Sequence, residues 1–187
     1  MYRILMCAAV GALFIGSQAV AQAPTQNGPL RERAVGTWKL ISWETVRSNG
    51  QAVDIIMGPH PIGLIMYQPN GYMAVQVMHD PRPTFEKNYL TATGDEFRQV
   101  YLGYYAYWGT YTINEADNTV EHNLQSSLHP EEVGRKYKRS LLFDGTKLVL
   151  TTPIFKAGIV IPHDLLERAQ VRDDEEVVNR LTWERLQ

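Results

Sequence analysis

From Gly36 onward the chain falls into short runs rich in Val, Ile, Thr, Tyr and Trp, each closed by a turn signal. Residues 37–46 (TWKLISWETV) end at SNGQ, where Asn49 and Gly50 suit a tight hairpin turn with positive φ. Residues 62–68 end at PNG, and 72–78 return from it. Residues 108–113 are joined to 119–128 through NEADN, 137–143 meet 147–152 across Asp144 and Gly145, and 180–186 close the chain. With 52–56 included this makes about nine strands, the signature of an antiparallel barrel or sandwich.

One helix is expected among them. Thr93 and Glu96 have capping-box spacing, and Phe97, Val100, Tyr101 and Tyr104 then form a one-sided apolar stripe that should pack on the barrel or plug an end. The GDEF string inside this segment is read as chance. A second, polar helix is expected within 163–180.

Strand alternation assigns side chains to faces. In TVEHNLQSSL (119–128), Thr119, Glu121, Asn123, Gln125 and Ser127 share a polar face, while Val120, His122, Leu124, Ser126 and Leu128 share a mostly apolar one. His122 therefore points toward the core. Its expected partner strand places Arg139 with Tyr137, Leu141 and Phe143, and the first strand places Glu44 with Trp38, Leu40, Ser42 and Val46. Residues 72–78 are apolar on both faces apart from Gln76, and Leu181, Trp183 and Arg185 share a face of the last strand. Buried charge costs several kcal/mol unless it is paired or meets water in a cavity. Glu44, His122 and Arg139 are thus either a structural polar cluster or the polar lining of a ligand pocket.

The N-terminus changes the picture of where the chain works. Arg3, an apolar run of roughly a dozen residues over 4–15, and the small-x-small site at Ala19 to Ala21 form the pattern of a secretory signal peptide over 1–21. The run falls short of the about 20 residues that span a bilayer. A flexible leader over 22–33 and one barrel domain over 34–187 would follow, in a periplasmic or secreted protein. The only cysteine, Cys7, lies within the expected signal peptide, so the mature protein would rely on its core rather than on disulfides. A formal net charge of −2 with no basic stripe argues against nucleic acid, and no second apolar segment offers a membrane anchor.

The segments GTWKLISWE (36–44), IGLIMYQPNGYMAVQVM (62–78), YYAYWGTYTI and TVEHNLQSSLHP (104–130), KRSLLFDGTKLVLTTP (138–153) and LTWER (181–185) appear in the order found in the lipocalin-like domain of bacterial and fungal proteins. The mature chain resembles that family over nearly its whole length. The resemblance implies an all-β, calycin-type antiparallel barrel of 8–9 strands with one or two short helices. Matching positions include Trp38, Glu44, Tyr67, Gly71, Tyr72, Gln76, Gly109, Tyr111, His122, Arg139 and Trp183. Two departures stand out: Glu131 and Glu132 occur where the family tends to place an aromatic, and 157–179 is longer than the usual link to the last strand.

Function is carried less far by this likeness, since one fold hosts many chemistries. The leading expectation is a barrel binding a small hydrophobic or aromatic molecule, lined by Glu44, Tyr67, Tyr72, Gln76, Tyr107, Tyr111, His122, Arg139 and Trp183. An isomerase, cyclase or lyase is the runner-up, with His122 as general acid or base and Arg139 stabilising developing negative charge. A structural barrel with a filled interior is the third reading. No cofactor is expected. The five histidines show no H-x-H or H-E-x-x-H spacing, so a zinc site is not indicated, while a haem on His79 or His122 would leave no local signature.

Overall fold

The computed structural model describes residues 28–186, and the expected signal peptide and the leader up to residue 27 lie outside the described residues. Ten strands follow in chain order: β1 (Gly36–Arg47), β2 (Ala52–Val53), β3 (Ile62–Tyr67), β4 (Tyr72–Met78), β5 (Tyr104–Asn114), β6 (Thr119–Ser127), β7 (Lys136–Asp144), β8 (Lys147–Thr151), β9 (Phe155–Lys156) and β10 (Glu176–Arg185). All pair antiparallel in the order β2-β1-β3-β4-β5-β6-β7-β8-β10-β9, and the β1–β10 pairing closes eight of them into a barrel. The two-residue strands β2 and β9 lie outside the closed ring.

The connections sort by length. Tight turns join β3 to β4, β5 to β6 and β7 to β8 at one end, while every long connection lies at the other. The short-turn end is sealed by α1 (Leu30–Ala34), which forms within the tail of the expected leader. Its first amides, on Leu30 and Arg31, donate to the Glu115 carboxylate at 2.9 and 3.0 Å. Trp38 donates its indole N–H back to the Ala34 carbonyl at 2.8 Å. Arg185 lies 4.1 Å from the Trp38 ring centroid and donates to the carbonyls of Val35 and Arg33.

The long-loop end carries α2 (Gly94–Leu102), α3 (Ala157–Val160) and α4 (His163–Ala169). The expected capping box holds: the Glu96 amide donates to Thr93 Oγ1, and the Thr93 amide to the Glu96 carboxylate. None of the α2 residues is fully buried, and the helix stops before Tyr104, which opens β5. Only α4 is helical within 163–180, because from Glu176 the chain pairs with β9, β8 and β1. The inserted segment builds a small second core, in which Ala157, Ile161, Leu166 and Val171 pack with Ile55 and Val177. Arg47 clamps it to β1 through both oxygens of the buried Glu175, at 2.7 and 2.9 Å.

Two β-bulges redirect the alternation. On β1 the register against β10 jumps between Leu40 and Ser42, so the inward set passes from Trp38 and Leu40 to Trp43 and Thr45. On β6 the register against β5 jumps across Gln125, so Ser127 rather than Ser126 stands opposite the inward Tyr107. A bulge of this kind puts two residues of one strand against one of its partner and turns the following side chains over. Gly109, beside the second bulge, is required by close approach: a Cβ there would lie 1.9 Å from the Asn123 carbonyl oxygen.

Candidate functional site

At the centre of the barrel His122 is 1% exposed and lies between two tyrosines. Tyr67 Oη is 2.7 Å from its Nε2 and Tyr107 Oη is 2.8 Å from its Nδ1. Since β3 and β6 are not neighbours in the sheet, the Tyr67 bond crosses the lumen. Burial lowers the His122 pKa to about 3, with the nearby Arg139 cation adding to the effect, so the ring is neutral at ordinary pH. Burial also raises the phenols, Tyr67 well above its usual value and Tyr107 to about 12. Both ring nitrogens of His122 are engaged, so neither is free to ligate a haem iron. His79 has one nitrogen engaged, its Nε2 lying 2.9 Å from the Ile56 carbonyl.

From this triad toward the long-loop end the wall is aromatic. Tyr107 contacts Tyr105 (5.5 Å between centroids) and Tyr137 (6.1 Å), and Tyr105 meets Trp43 edge-on at 6.2 Å across the barrel. Arg139 shares the inward face of β7 with Tyr137 and stacks 5.2 Å from that ring. Trp43, Tyr105, Tyr137 and Arg139 all point inward yet stay partly accessible. A carboxylate completes the rim: Glu132, with its side chain 13% exposed, accepts from Tyr105 Oη at 2.9 Å and Ser127 Oγ at 2.7 Å, with His129 at 3.5 Å. Burial, with the Glu132 charge and hydrogen bond adding to it, raises Tyr137 to about 12. Across this rim Tyr101 of α2 donates to the Leu128 carbonyl at 3.1 Å.

A family profile described as a lipocalin-like domain matches residues 35–186. The chain belongs to the lipocalin-like domain family. No curated protein matches it significantly. Among solved structures, that of EF1p2_mFAP2b bound to DFHBI aligns at 14% identity and a TM-score of 0.39, covering 85% of this chain and 100% of that one.

Within this lipocalin-like barrel the expected lining residues separate into three groups. Tyr67, Tyr107, His122 and Arg139 come together as described. Tyr111 and Trp183 face inward but lie in the sealed core, where Tyr111 packs on Tyr67 at 4.8 Å and donates to the Gln68 carbonyl at 2.8 Å. Glu44, Tyr72 and Gln76 do not line the interior. The β1 bulge turns Glu44 outward, where it accepts from Arg180 at 3.0 Å. Tyr72 is 48% exposed, and Gln76 accepts from Tyr104 Oη at 3.0 Å, because β4 buries Met73, Val75 and Val77 instead. Leaving a phenol and an amide in water avoids the desolvation cost of turning the strand over.

Trp43, Tyr105, Ser127 and Glu132 were missed as site residues. Tyr105 could have been found, since it alternates with Tyr107 and Tyr111. Trp43 and Ser127 were hidden by the bulges, and Glu132 was legible only as a departure from the family pattern. Among the described residues no three His, Cys, Asp or Glu side chains converge as a metal-ligand set.

Proposed function

We propose that the protein is exported and binds a small, mostly apolar or aromatic molecule at the long-loop end of its barrel. One observation carries this reading. Trp43, Tyr105 and Tyr137 point into the barrel yet retain accessible surface, whereas the rings deeper in the barrel, Trp38, Tyr67 and Trp183, are at most 1% exposed. Partly exposed inward aromatics ending on a few fixed polar groups are the usual make-up of a small-molecule site. Native mass spectrometry of the mature protein from its own host, with extraction of what it carries, tests this directly. A reproducible added mass that is lost in Tyr105→Ala supports the reading. A bare mass, together with no binding of any aromatic probe in solution, would sink it.

A second reading, acid–base turnover of that guest, rests on the Tyr67–His122–Tyr107 chain, whose central neutral imidazole can accept a proton at one nitrogen and release one from the other. Deuterium incorporation from heavy water into a bound guest, abolished in His122→Gln, would favour turnover over binding alone.

A further inference from the structure

The interior of the barrel holds buried hydrogen-bond donors without acceptors. A neutral imidazole offers one N–H and one lone pair, and each phenol offers one O–H and an oxygen that can accept. The triad therefore carries three protons. Its two hydrogen bonds use two of them, whichever His122 tautomer is present: if Nε2 carries the proton it donates to Tyr67 and Tyr107 donates to Nδ1, and the opposite tautomer reverses both bonds. One phenol proton is left over either way. It sits on a residue at most 6% exposed, and the hydrogen bonds shown by these two hydroxyls among the described residues are those to His122.

The same imbalance recurs around the triad. The indole N–H of Trp43 is buried and has no partner among the described residues, and deeper in the sealed core the same holds for Trp183. Trp183 is fully buried, and Trp43 faces Tyr105 across the lumen. Arg139 contributes a guanidinium whose charge acts on Tyr67, Tyr107 and His122 together. Glu132, the carboxylate at the rim, is already engaged by Tyr105, Ser127 and His129. An unpaired buried donor costs about 1–3 kcal/mol, so several in one interior call for an acceptor from outside the chain.

We infer that the guest of this barrel presents a hydrogen-bond acceptor, an oxygen of the carbonyl or carboxylate class, to the donors around Tyr67, His122, Tyr107, Arg139 and Trp43. Its apolar body lies against Tyr105 and Tyr137. The inference rests on the proposed binding function and names the chemistry of its polar end. A guest whose polar end is a cation, such as an ammonium, is disfavoured because it would lie beside the Arg139 guanidinium.

Four probes with one apolar body test it: 2-naphthoate, 2-acetylnaphthalene, 2-ethylnaphthalene and 2-naphthylmethylammonium, titrated into the mature protein and followed by calorimetry and tryptophan fluorescence. The two acceptor probes should bind at least about tenfold more tightly than the ethyl compound, the scale of one hydrogen bond into a dry site. The ammonium should bind most weakly. In Arg139→Gln, whose partly exposed site tolerates the change, naphthoate should lose affinity while the ketone is nearly unaffected. Equal binding of the ketone, carboxylate and ethyl compounds would leave the pocket standing and overturn acceptor recognition, as would tightest binding of the ammonium. Binding of none of them would overturn the pocket itself.

Discussion

At the short-turn end, rings meet cations. Arg185 covers Trp38, Arg33 lies 3.9 Å from the Phe143 centroid, and Arg31 lies 5.3 Å from that of Tyr111. Two of these arginines come from α1, so one short helix closes the barrel and covers its aromatic faces at once. At the long-loop end, rings meet chiefly one another and a carboxylate, with Arg139 stacked on Tyr137. Trp43, Tyr105, Tyr107 and Tyr137 form a contiguous wall, Glu132 accepts from the hydroxyls of Tyr105 and Ser127, and α2 lies across it without a buried residue. The difference teaches where stability and adaptability are placed. Cation-capped rings and the near-complete burial of Trp38 and Tyr111 make one end a plug. Accessible rings make the other the candidate site, and such regions are drawn from the less stable parts of a fold.

The sharpest way to break this comparison is at the plug. Trp38→Ala removes a buried indole, its bond to Ala34 and the platform for Arg185, and should cost about 3–5 kcal/mol in urea unfolding. A loss below about 1 kcal/mol would show that the sealed end does not hold the barrel together.

Next in size is the acid response of His122. Its folded pKa is about 3, against roughly 6.5 for an unfolded histidine, so between these values the unfolded chain binds the proton that the folded one refuses. This contribution is fully present above pH ~6.5 and is lost progressively as pH falls toward ~3, to the extent of roughly 4 kcal/mol. His122→Gln, which keeps a donor and an acceptor for the two tyrosines, should flatten that part of the stability–pH curve. An unchanged acid limb would mean that His122 is protonated in the folded state.

Smaller effects sharpen the contrast at the rim. Glu132→Gln weakens the acceptor that gathers Tyr105 and Ser127, and should cost about 1–2 kcal/mol while speeding amide exchange in 128–135 more than at α1. Uniform acceleration at both ends would contradict the division between them. Least of all should be felt by Glu44→Gln. That change breaks a surface pair with Arg180 worth at most about 1 kcal/mol and leaves guest affinity unchanged. A tenfold loss of binding would place Glu44 at the site after all.

Much of the molecule was legible before folding. Hydrophobic alternation, turn residues and the capping box pointed to the strands, the order of the hairpins and α2, because each depends on residues close in the chain. The inward placement of His122 and Arg139 followed from the same local rule. Glu44 was misplaced by it, and Trp43 was missed by it, since a one-residue bulge reverses every side chain beyond it and is decided by pairing with β10 rather than by β1 alone. The segment TVEHNLQSSL (119–128) shows both cases at once: alternation holds through His122 and Leu124 and fails after Gln125.

Tertiary structure alone decided what His122 touches. Tyr67 lies 55 residues away on a strand across the lumen and Tyr107 only 15 away on the adjacent strand, and neither distance in sequence predicts their meeting on the two nitrogens of one ring. By itself the pattern of the sequence determined an antiparallel all-β domain with a histidine on an apolar face, and its family resemblance pointed to a barrel. Barrel closure then chose the partners of that histidine, because hydrogen bonds across a lumen depend on which strands face each other when β1 joins β10, and no local pattern encodes that.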